Sequence, residues 1–199
     1  YWALAIYLNR YKEGAKPLYK DLLKLVKDKD YFVLTTNVDH QFQLAGFDKE
    51  RLFYTQGDYG LFQSEDPSDG KTYDNEEWVR KVLPYIDPIT HKIPSSMIPM
   101  TKDGKRMITN LRCDENFVED EGWHQACKRY YSFVDKVRNK KVLYLELGVG
   151  MNTPVIIKYP FWKYTYQNFN AFYICVNKGD AYSPEEIQKR SLCVNADIT

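Results

Sequence analysis

Cysteine is sparse in this sequence, and its four copies lie far apart. They are Cys113, Cys127, Cys175 and Cys193, and no C-x-x-C pair occurs. A structural zinc site needs four clustered nitrogen or sulfur ligands, which the three scattered histidines do not complete. The sequence also offers no secretory signal that would favour a disulfide framework in a chain of this size. We therefore predict ordinary buried thiols in a reducing cytoplasm, and no zinc.

The sequence also lacks an excess of positive or negative charge, and it lacks long apolar runs. The 28 Lys and Arg residues balance 27 Asp and Glu residues, which leaves a formal charge of +1. No basic field is present to attract nucleic acid or an anionic membrane. Charges and prolines interrupt the apolar windows well short of the about 20 residues that span a bilayer. We predict a soluble protein, cytoplasmic, with no nucleic-acid or membrane partner.

Short apolar runs that end in small polar residues recur along the chain. They are Tyr31–Leu34, Leu52–Tyr54, Val142–Leu147 and Ala171–Val176. Such runs are typical of parallel strands that present polar side chains at their carboxyl ends. A chain of 199 residues is long enough for one domain with a sizeable core. The pattern predicts an α/β fold, with a Rossmann-like parallel sheet covered by helices on both faces.

Helical patterns lie between these runs. We predict helices at Pro17–Lys29, Gln41–Ala45, Asp74–Leu83, Glu119–Arg138, Val155–Tyr166 and from Ser183 onward. The β-branched start of 155–166 would also suit a strand, but a parallel crossover needs a helix there. Residues 85–116 are rich in turn formers, and we place them in a small inserted module that covers 64–116. The apolar start at Trp2 indicates that the chain begins inside a helix of a longer protein.

The polar strand ends are the candidate functional segments. Thr36-Asn37-Val38-Asp39 follows the first strand, Gln56-Gly57-Asp58 the second and Gly148-Val149-Gly150 the third. Two glycines between a strand and a helix allow a phosphate to approach the backbone. Each segment taken alone is equally compatible with an ordinary polar turn. Asn177 and Asp197 follow later strand positions and could each bind a ribose or adenine.

In combination the segments are more specific. TTNVD, TQGD, LELGVGMNTP, YICVN and NADI occur in this order, and from Leu18 to Thr199 the chain resembles the sirtuin family. The stretches NVDHQFQLAGF, FYTQGDYGLFQ and LGVGMNTPVIIKYPFW are similar to its class M branch, which is found mainly in microbes and is linked to macrodomains. The resemblance implies NAD as the cofactor and a macrodomain protein as a partner.

For the nicotinamide side, the resemblance matches five residues to family motifs. Thr36, Asn37 and Asp39 match the T-Q-N-x-D motif that contacts the nicotinamide ribose, although most sirtuins have glutamine where Thr36 stands. Gln56 and Gly57 match the family's H-G motif, so Gln56 takes the place of the catalytic histidine. The implied catalytic set is Asn37, Gln56 and Asp39.

For the adenosine side, the resemblance implies a second set. Gly148, Val149 and Gly150 match the G-T-S segment that lines the phosphates and the adenosine ribose, with Asn152 just after them. Asn177 matches the strand-end asparagine that holds the adenosine ribose. Asp197 and Ile198 match the family's final segment, which lies against adenine.

Two segments of the family pattern are missing. The glycine-rich G-A-G-x-S loop that cradles the pyrophosphate would lie before Tyr1, so we expect a fragment that binds NAD weakly by itself. The zinc-ribbon cysteines are missing as well. Ser64 and Ser68 stand where the first pair would be, and residues 100–104 replace the second. We expect packing to hold the inserted module.

Gln56 decides between the activities of the family. A deacetylating sirtuin needs a base near neutral pH, and a glutamine amide takes up no proton there. Loss of nicotinamide needs no such base. The resemblance implies a protein ADP-ribosyltransferase whose acceptor is a lipoyl-carrier protein similar to the glycine-cleavage H protein. A deacylase, or a non-catalytic NAD-binding or protein-docking domain, remains an alternative.

The histidines are weaker candidates. His40, His91 and His124 are separated in the sequence, and we interpret them as surface or satisfied core side chains. The acidic segment 114–121 is typical of a solvated face, and partner binding is the alternative.

Overall fold

The computed structural model describes residues 1–198, which form two compact units. The first unit is Tyr1–Lys128, and the second begins at Arg129. Each unit contains its own parallel strands and its own buried apolar cluster. In the described part of the chain, no helix has the length and apolar character needed to cross a membrane.

The first unit starts with helices and continues into a parallel strand pair. Helix α1 (Trp2–Ile6) runs into a π-helical turn at Tyr7–Tyr11, and α2 covers Pro17–Val26. Pro17 suits the first turn of α2, because a backbone N–H has no helical partner there. Strands β1 (Val33–Thr35) and β2 (Leu52–Tyr54) pair in parallel. Their carboxyl ends therefore lie at the same edge.

An antiparallel sheet follows in the same unit. Its central strand is β3 (Gly57–Ser64), which pairs with β4 (Thr72–Asp74) on one side and β5 (Met107–Leu111) on the other. The remaining α-helices of this unit are α3 (Gln41–Leu44), α4 (Glu76–Val82) and the first part of α5 (Glu121–Val137). Apolar side chains from three elements pack together, namely Ile6, Phe62 and Val79.

The second unit contains a three-stranded parallel sheet. Strands β6 (Val142–Leu147), β7 (Ala171–Val176) and β8 (Ser191–Val194) lie in that order. Helix α6 (Lys158–Gln167) and a 3-10 helix at Glu185–Arg190 connect them. Both connections join parallel strands, as the predicted Rossmann-like arrangement requires. The buried cluster of this unit consists of Tyr144, Ala171, Tyr173, Cys175 and Ile187.

The predicted α/β class is confirmed, and strands β2, β6 and β7 have the predicted bounds. Strands β3 and β8 were not predicted. The 155–166 segment is helical as expected, but its helix begins only at Lys158.

Three local predictions were wrong. Asp74 does not begin α4, because Asn75 occupies the N-cap and the Asp74 carboxylate accepts from the Glu76 N–H at 3.0 Å. The helix after Ser183 is a 3-10 helix with Pro184 as its N-cap. Among the cysteines Cys175 is buried, whereas Cys113 is exposed.

Gly57 begins β3 in a conformation that a side chain would disturb. Its φ is +95°, and a Cβ atom would lie 2.0 Å from the carbonyl oxygen of Asn110. We expect Gly57→Ala to lower the free energy of unfolding by about 3 kcal/mol, through left-handed strain and overpacking. Gly70 is the control, because its φ is +61° with no atom within 4 Å of a Cβ, so Gly70→Ala should cost about 1 kcal/mol. If urea unfolding gives the same loss of unfolding free energy for Gly57→Ala and Gly70→Ala, the clash with the Asn110 carbonyl oxygen is contradicted.

Candidate functional site

The polar tips of β1 and β2 meet at one edge of the first unit. The Thr55 N–H donates to the Thr35 carbonyl oxygen at 3.0 Å, which continues the parallel pairing beyond the strands. Thr36 and Asn37 follow directly after β1, and Gln56 follows β2 by two residues. The predicted nicotinamide-side residues are thus presented by neighbouring strand ends.

Asn37 is exposed, and its side chain is oriented by a residue from α2. Its Nδ2 donates to the Tyr19 hydroxyl at 3.0 Å, and its backbone N–H donates to the Thr35 Oγ1 at 3.0 Å. Burial, together with the nearby Asp39 carboxylate, raises the pKa of the Tyr19 hydroxyl. Tyr19 is therefore a neutral phenol at physiological pH. Its ring is packed edge-to-face on Phe42, 4.9 Å between centroids.

Gln56 is half-buried and held through its backbone. Its carbonyl oxygen accepts from the Arg112 N–H at 3.0 Å, next to the positive-φ residue Gly57. Its side-chain Nε2 donates to the Thr55 Oγ1 at 3.3 Å. The amide thus remains close to its own turn, where it can exchange this long hydrogen bond for one to a ligand.

Asp58 connects three separate segments beside this edge. Its Oδ2 contacts His40 Nδ1, and its Oδ1 accepts from the Gly60 N–H at 2.7 Å and from Arg10 Nε at 3.2 Å. Burial would raise the pKa of Asp58, but the hydrogen bond with His40, the Gly60 N–H and the Arg10 charge lower it overall. Asp58 is therefore a buried carboxylate whose oxygens contact the His40 ring, the Gly60 N–H and the Arg10 guanidinium.

The predicted adenosine-side residues belong to the second unit, where they also follow strand ends. The Gly148 N–H donates to the Val176 carbonyl oxygen at 2.9 Å. Asn177 Nδ2 donates to the Val149 carbonyl oxygen at 2.8 Å, so this amide shapes the glycine loop. A Cβ on Gly150 would meet no atom within 4 Å. The loop therefore has an open backbone that a ligand can approach closely.

The last predicted residues follow β8 or the glycine loop. Ile198 lies against Gly148, where its Cδ1 would be 3.2 Å from a Cβ. Asp197 pairs with Lys178 at 3.5 Å, and both side chains are exposed. Asn152 is exposed in the turn that precedes α6. The structure brings Gly148, Asn177 and Ile198 together at one strand edge.

Three side chains near the nicotinamide-side residues were not predicted as part of a site. They are Arg10, Tyr19 and His40, and each contacts its partner across 18 or more positions of the chain. No local motif marks such pairs. The one available signal was the aspartate of the QGD segment, because a buried carboxylate requires a partner.

The serines at the zinc-ribbon position lie in a hydrogen-bonded turn. The Asp66 N–H donates to the Ser64 Oγ at 3.2 Å, and the Ser68 N–H donates to Asp66 Oδ1 at 3.1 Å. Lys105, which directly follows the 100–104 segment, has its Nζ 2.6 Å from Asp66 Oδ2. Within residues 1–198, no group of three or more His, Cys, Asp or Glu could hold a metal.

Solved structures that are similar to this fold include Sir2 proteins. Sir2Tm bound to a propionylated peptide matches with a TM-score of 0.62, 17% identity, and coverage of 94% of this chain and 68% of that one. The chain has the fold of the sirtuins. A Sir2 mutant with a p53 peptide and NAD gives a TM-score of 0.60 at the same identity and coverage. A Sir2 homologue mutant in complex with ADP-ribose gives 0.57 at 11% identity, over 99% of this chain and 68% of that one.

Two curated relatives are similar in sequence to this sirtuin-fold chain. A "Protein ADP-ribosyltransferase" from Staphylococcus aureus is 34% identical over 204 residues, 100% of this chain and 64% of the relative. A "Probable bifunctional ADP-ribose hydrolase/ADP-ribosyltransferase" from Fusarium oxysporum f. sp. cubense is 30% identical over 151 residues, 72% of this chain and 25% of the relative. The chain thus spans less than two thirds of either relative. No family model matches the sequence.

Proposed function

We propose that the chain is the NAD-binding part of a class M-like sirtuin that transfers ADP-ribose from NAD to a protein. The observation that supports this most directly is that Gln56, which the resemblance matches to the family's catalytic histidine, follows β2 at the edge where Asn37 follows the paired strand β1. The name of the Staphylococcus aureus relative agrees with a transferase.

The nicotinamide-side residues suit the chemistry of nicotinamide loss. The ribose carbon becomes oxocarbenium-like as nicotinamide leaves, and oriented polar groups stabilise such a centre. Asn37 and Asp39 hold this ribose, and the Tyr19 hydroxyl fixes the Asn37 amide. Gln56 orients the ribose hydroxyls or the acceptor through hydrogen bonds. The Gln56 amide takes up no proton near neutral pH, so deacylation, which uses a histidine base at this position, is impaired.

The adenosine half of NAD is assigned to the second unit. Gly150 gives the phosphates an open backbone to approach, and Gly148 and Val149 form the rest of this loop. Asn177 supports the adenosine ribose and holds Val149 in place, and Asp197 with Ile198 borders the adenine. Asn152 completes the set in the following turn.

The proposal also includes two protein partners, an acceptor and a macrodomain protein. The acceptor is a lipoyl-carrier protein similar to the glycine-cleavage H protein, and a macrodomain protein accompanies the system in the cytoplasm. The Fusarium relative, whose name joins an ADP-ribose hydrolase to a transferase, supports such a pairing. The module at 64–116 works without zinc, with the Asp66–Lys105 ion pair across the position of the cysteines.

Transfer and deacylation can be separated in one experiment. The protein expressed from the whole reading frame that encodes this chain is incubated with adenylate-labelled NAD and either a lipoyl-carrier protein or an acetyl-lysine peptide. We expect label on the carrier and no 2′-O-acetyl-ADP-ribose. Formation of that ester would contradict the transferase and support a deacylase. NAD binding without either product would favour a non-catalytic domain.

A further inference from the structure

A histidine–aspartate pair lies one residue from Asp39 and two residues from Gln56. His40 Nδ1 contacts Asp58 Oδ2, and the backbone N–H of Tyr59 donates to the Val38 carbonyl oxygen at 2.9 Å. The loop after β1 and the start of β3 are thus attached side by side. The pair joins the two segments that hold the proposed catalytic residues.

The pair has the geometry of an oriented base. Asp58 occupies Nδ1 of the ring, which leaves Nε2 for another partner, as in histidines that act in proton transfer. The His40 side chain is 25% exposed, whereas that of Asp58 is 6% exposed. The carboxylate is therefore buried, whereas the ring has partial access to solvent.

The backbone of His40 is unusual for its residue type. Its φ is +63°, in the left-handed region where glycine is favoured. A histidine there has a conformational cost, and the contact of the His40 ring with Asp58 is an interaction that offsets it.

We propose that His40, held by Asp58, is the proton acceptor that the transferase site lacks at Gln56. This inference rests on the proposed function and adds a catalytic residue to it. It applies to acceptors that carry a hydroxyl, amine or thiol, because these lose a proton when they are ADP-ribosylated.

The step is balanced in atoms and charge. The bond between the ribose C1′ of NAD and the nicotinamide nitrogen breaks, and nicotinamide leaves as a neutral molecule with the electron pair. A lone pair of the acceptor atom forms the new bond to C1′. The acceptor proton moves to His40 Nε2, and the Asp58 carboxylate stabilises the resulting imidazolium before water removes the proton.

The charges around the pair favour this role. Asp58 on β3 faces the ring directly, and Asp39 is its neighbour in the chain. The positive charge of Arg10 disfavours a positive charge on the His40 ring. Arg10 binds Asp58 Oδ1, however, and the ring contacts the other carboxylate oxygen, Oδ2. Tyr11 is a further titratable group near Asp58, and burial raises the pKa of its hydroxyl, so it adds no charge.

Chemical rescue tests the inference. His40→Gly suits the φ of +63° and removes only the ring, and His91→Gly is the matched control because His91 is exposed with a φ of +54°. The protein from the whole reading frame is assayed for transfer and for NAD hydrolysis across pH. We expect His40→Gly to lower kcat about 100-fold, with KM for NAD within about threefold, and to abolish the acid limb of the pH profile. Added imidazole should restore at least about a tenth of the activity.

The other outcomes each decide something. Asp58→Asn should also lower kcat, because it removes the carboxylate that holds the ring and stabilises the imidazolium. A His40→Gly enzyme with an unchanged pH profile, or one that imidazole does not rescue, overturns the inference while transfer itself stands. A loss of thermal stability with no change in profile assigns His40 a structural role and also overturns it. A wild-type protein that releases no nicotinamide contradicts this inference and the proposed function together.

Discussion

Replacing Gln56 with alanine is expected to lower the rate of ADP-ribosyl transfer about 100-fold. Removal of one preoriented polar group at a developing charge has an effect of this size. NAD affinity should change by less than about threefold, because the amide hydrogen-bonds Thr55 within its own turn and the adenosine side is assigned to other residues. Single-turnover transfer rates and calorimetric NAD binding measure the two quantities separately.

A control distinguishes the role of Gln56 from a general effect of losing an amide. Gln125 is exposed on α5 and hydrogen-bonds Glu121 one turn away, so Gln125→Ala should leave both the rate and the affinity unchanged. Equal losses of transfer and of NAD affinity in Gln56→Ala would assign Gln56 to binding and remove it from the catalytic set.

The sequence predicted the parallel strands well because their signal is local. Strands β6 and β7 are continuous apolar runs bounded by polar residues, and their bounds agree with the structure. Strand β3 has no such signal, because its buried residues include Gln63 and Ser64. Gln63 is satisfied by Asn110 at 2.8 Å and by the Asn116 carbonyl at 2.7 Å, both about 50 positions away. Such partners are invisible to periodicity.

In the candidate site too, some residues could be predicted from local sequence patterns and others could not. Asn37 and Gln56 follow the paired strands β1 and β2 of the first unit, and Asn177 follows β7 of the second, as their strand-end patterns predicted. What surrounds them depends on side chains that the fold brings from elsewhere, such as Tyr19 on α2. His40 was interpreted as a surface or satisfied core residue, and its partner Asp58 became apparent only in three dimensions.

A second large effect is expected from Lys158, which is fully buried with its partner Glu146. Their Nζ and Oε1 atoms lie 2.5 Å apart, and both side chains have zero exposure. Glu146 also accepts from the Tyr173 hydroxyl at 2.7 Å and from the Cys175 thiol at 3.3 Å. Lys158→Met leaves this carboxylate without its counter-charge, and we expect a loss of about 3–5 kcal/mol in the free energy of unfolding.

The double variant shows why the single one is so costly. Glu146→Gln combined with Lys158→Met removes both charges and keeps an oxygen acceptor for Tyr173. Because a buried pair replaced as a whole costs far less than a pair broken on one side, the double variant should recover at least about half of the loss. Urea unfolding of both variants at equal m-values provides the comparison. If Lys158→Met loses less than about 1 kcal/mol, or if the double variant is the less stable of the two, the charge pairing is not what holds β6 to α6.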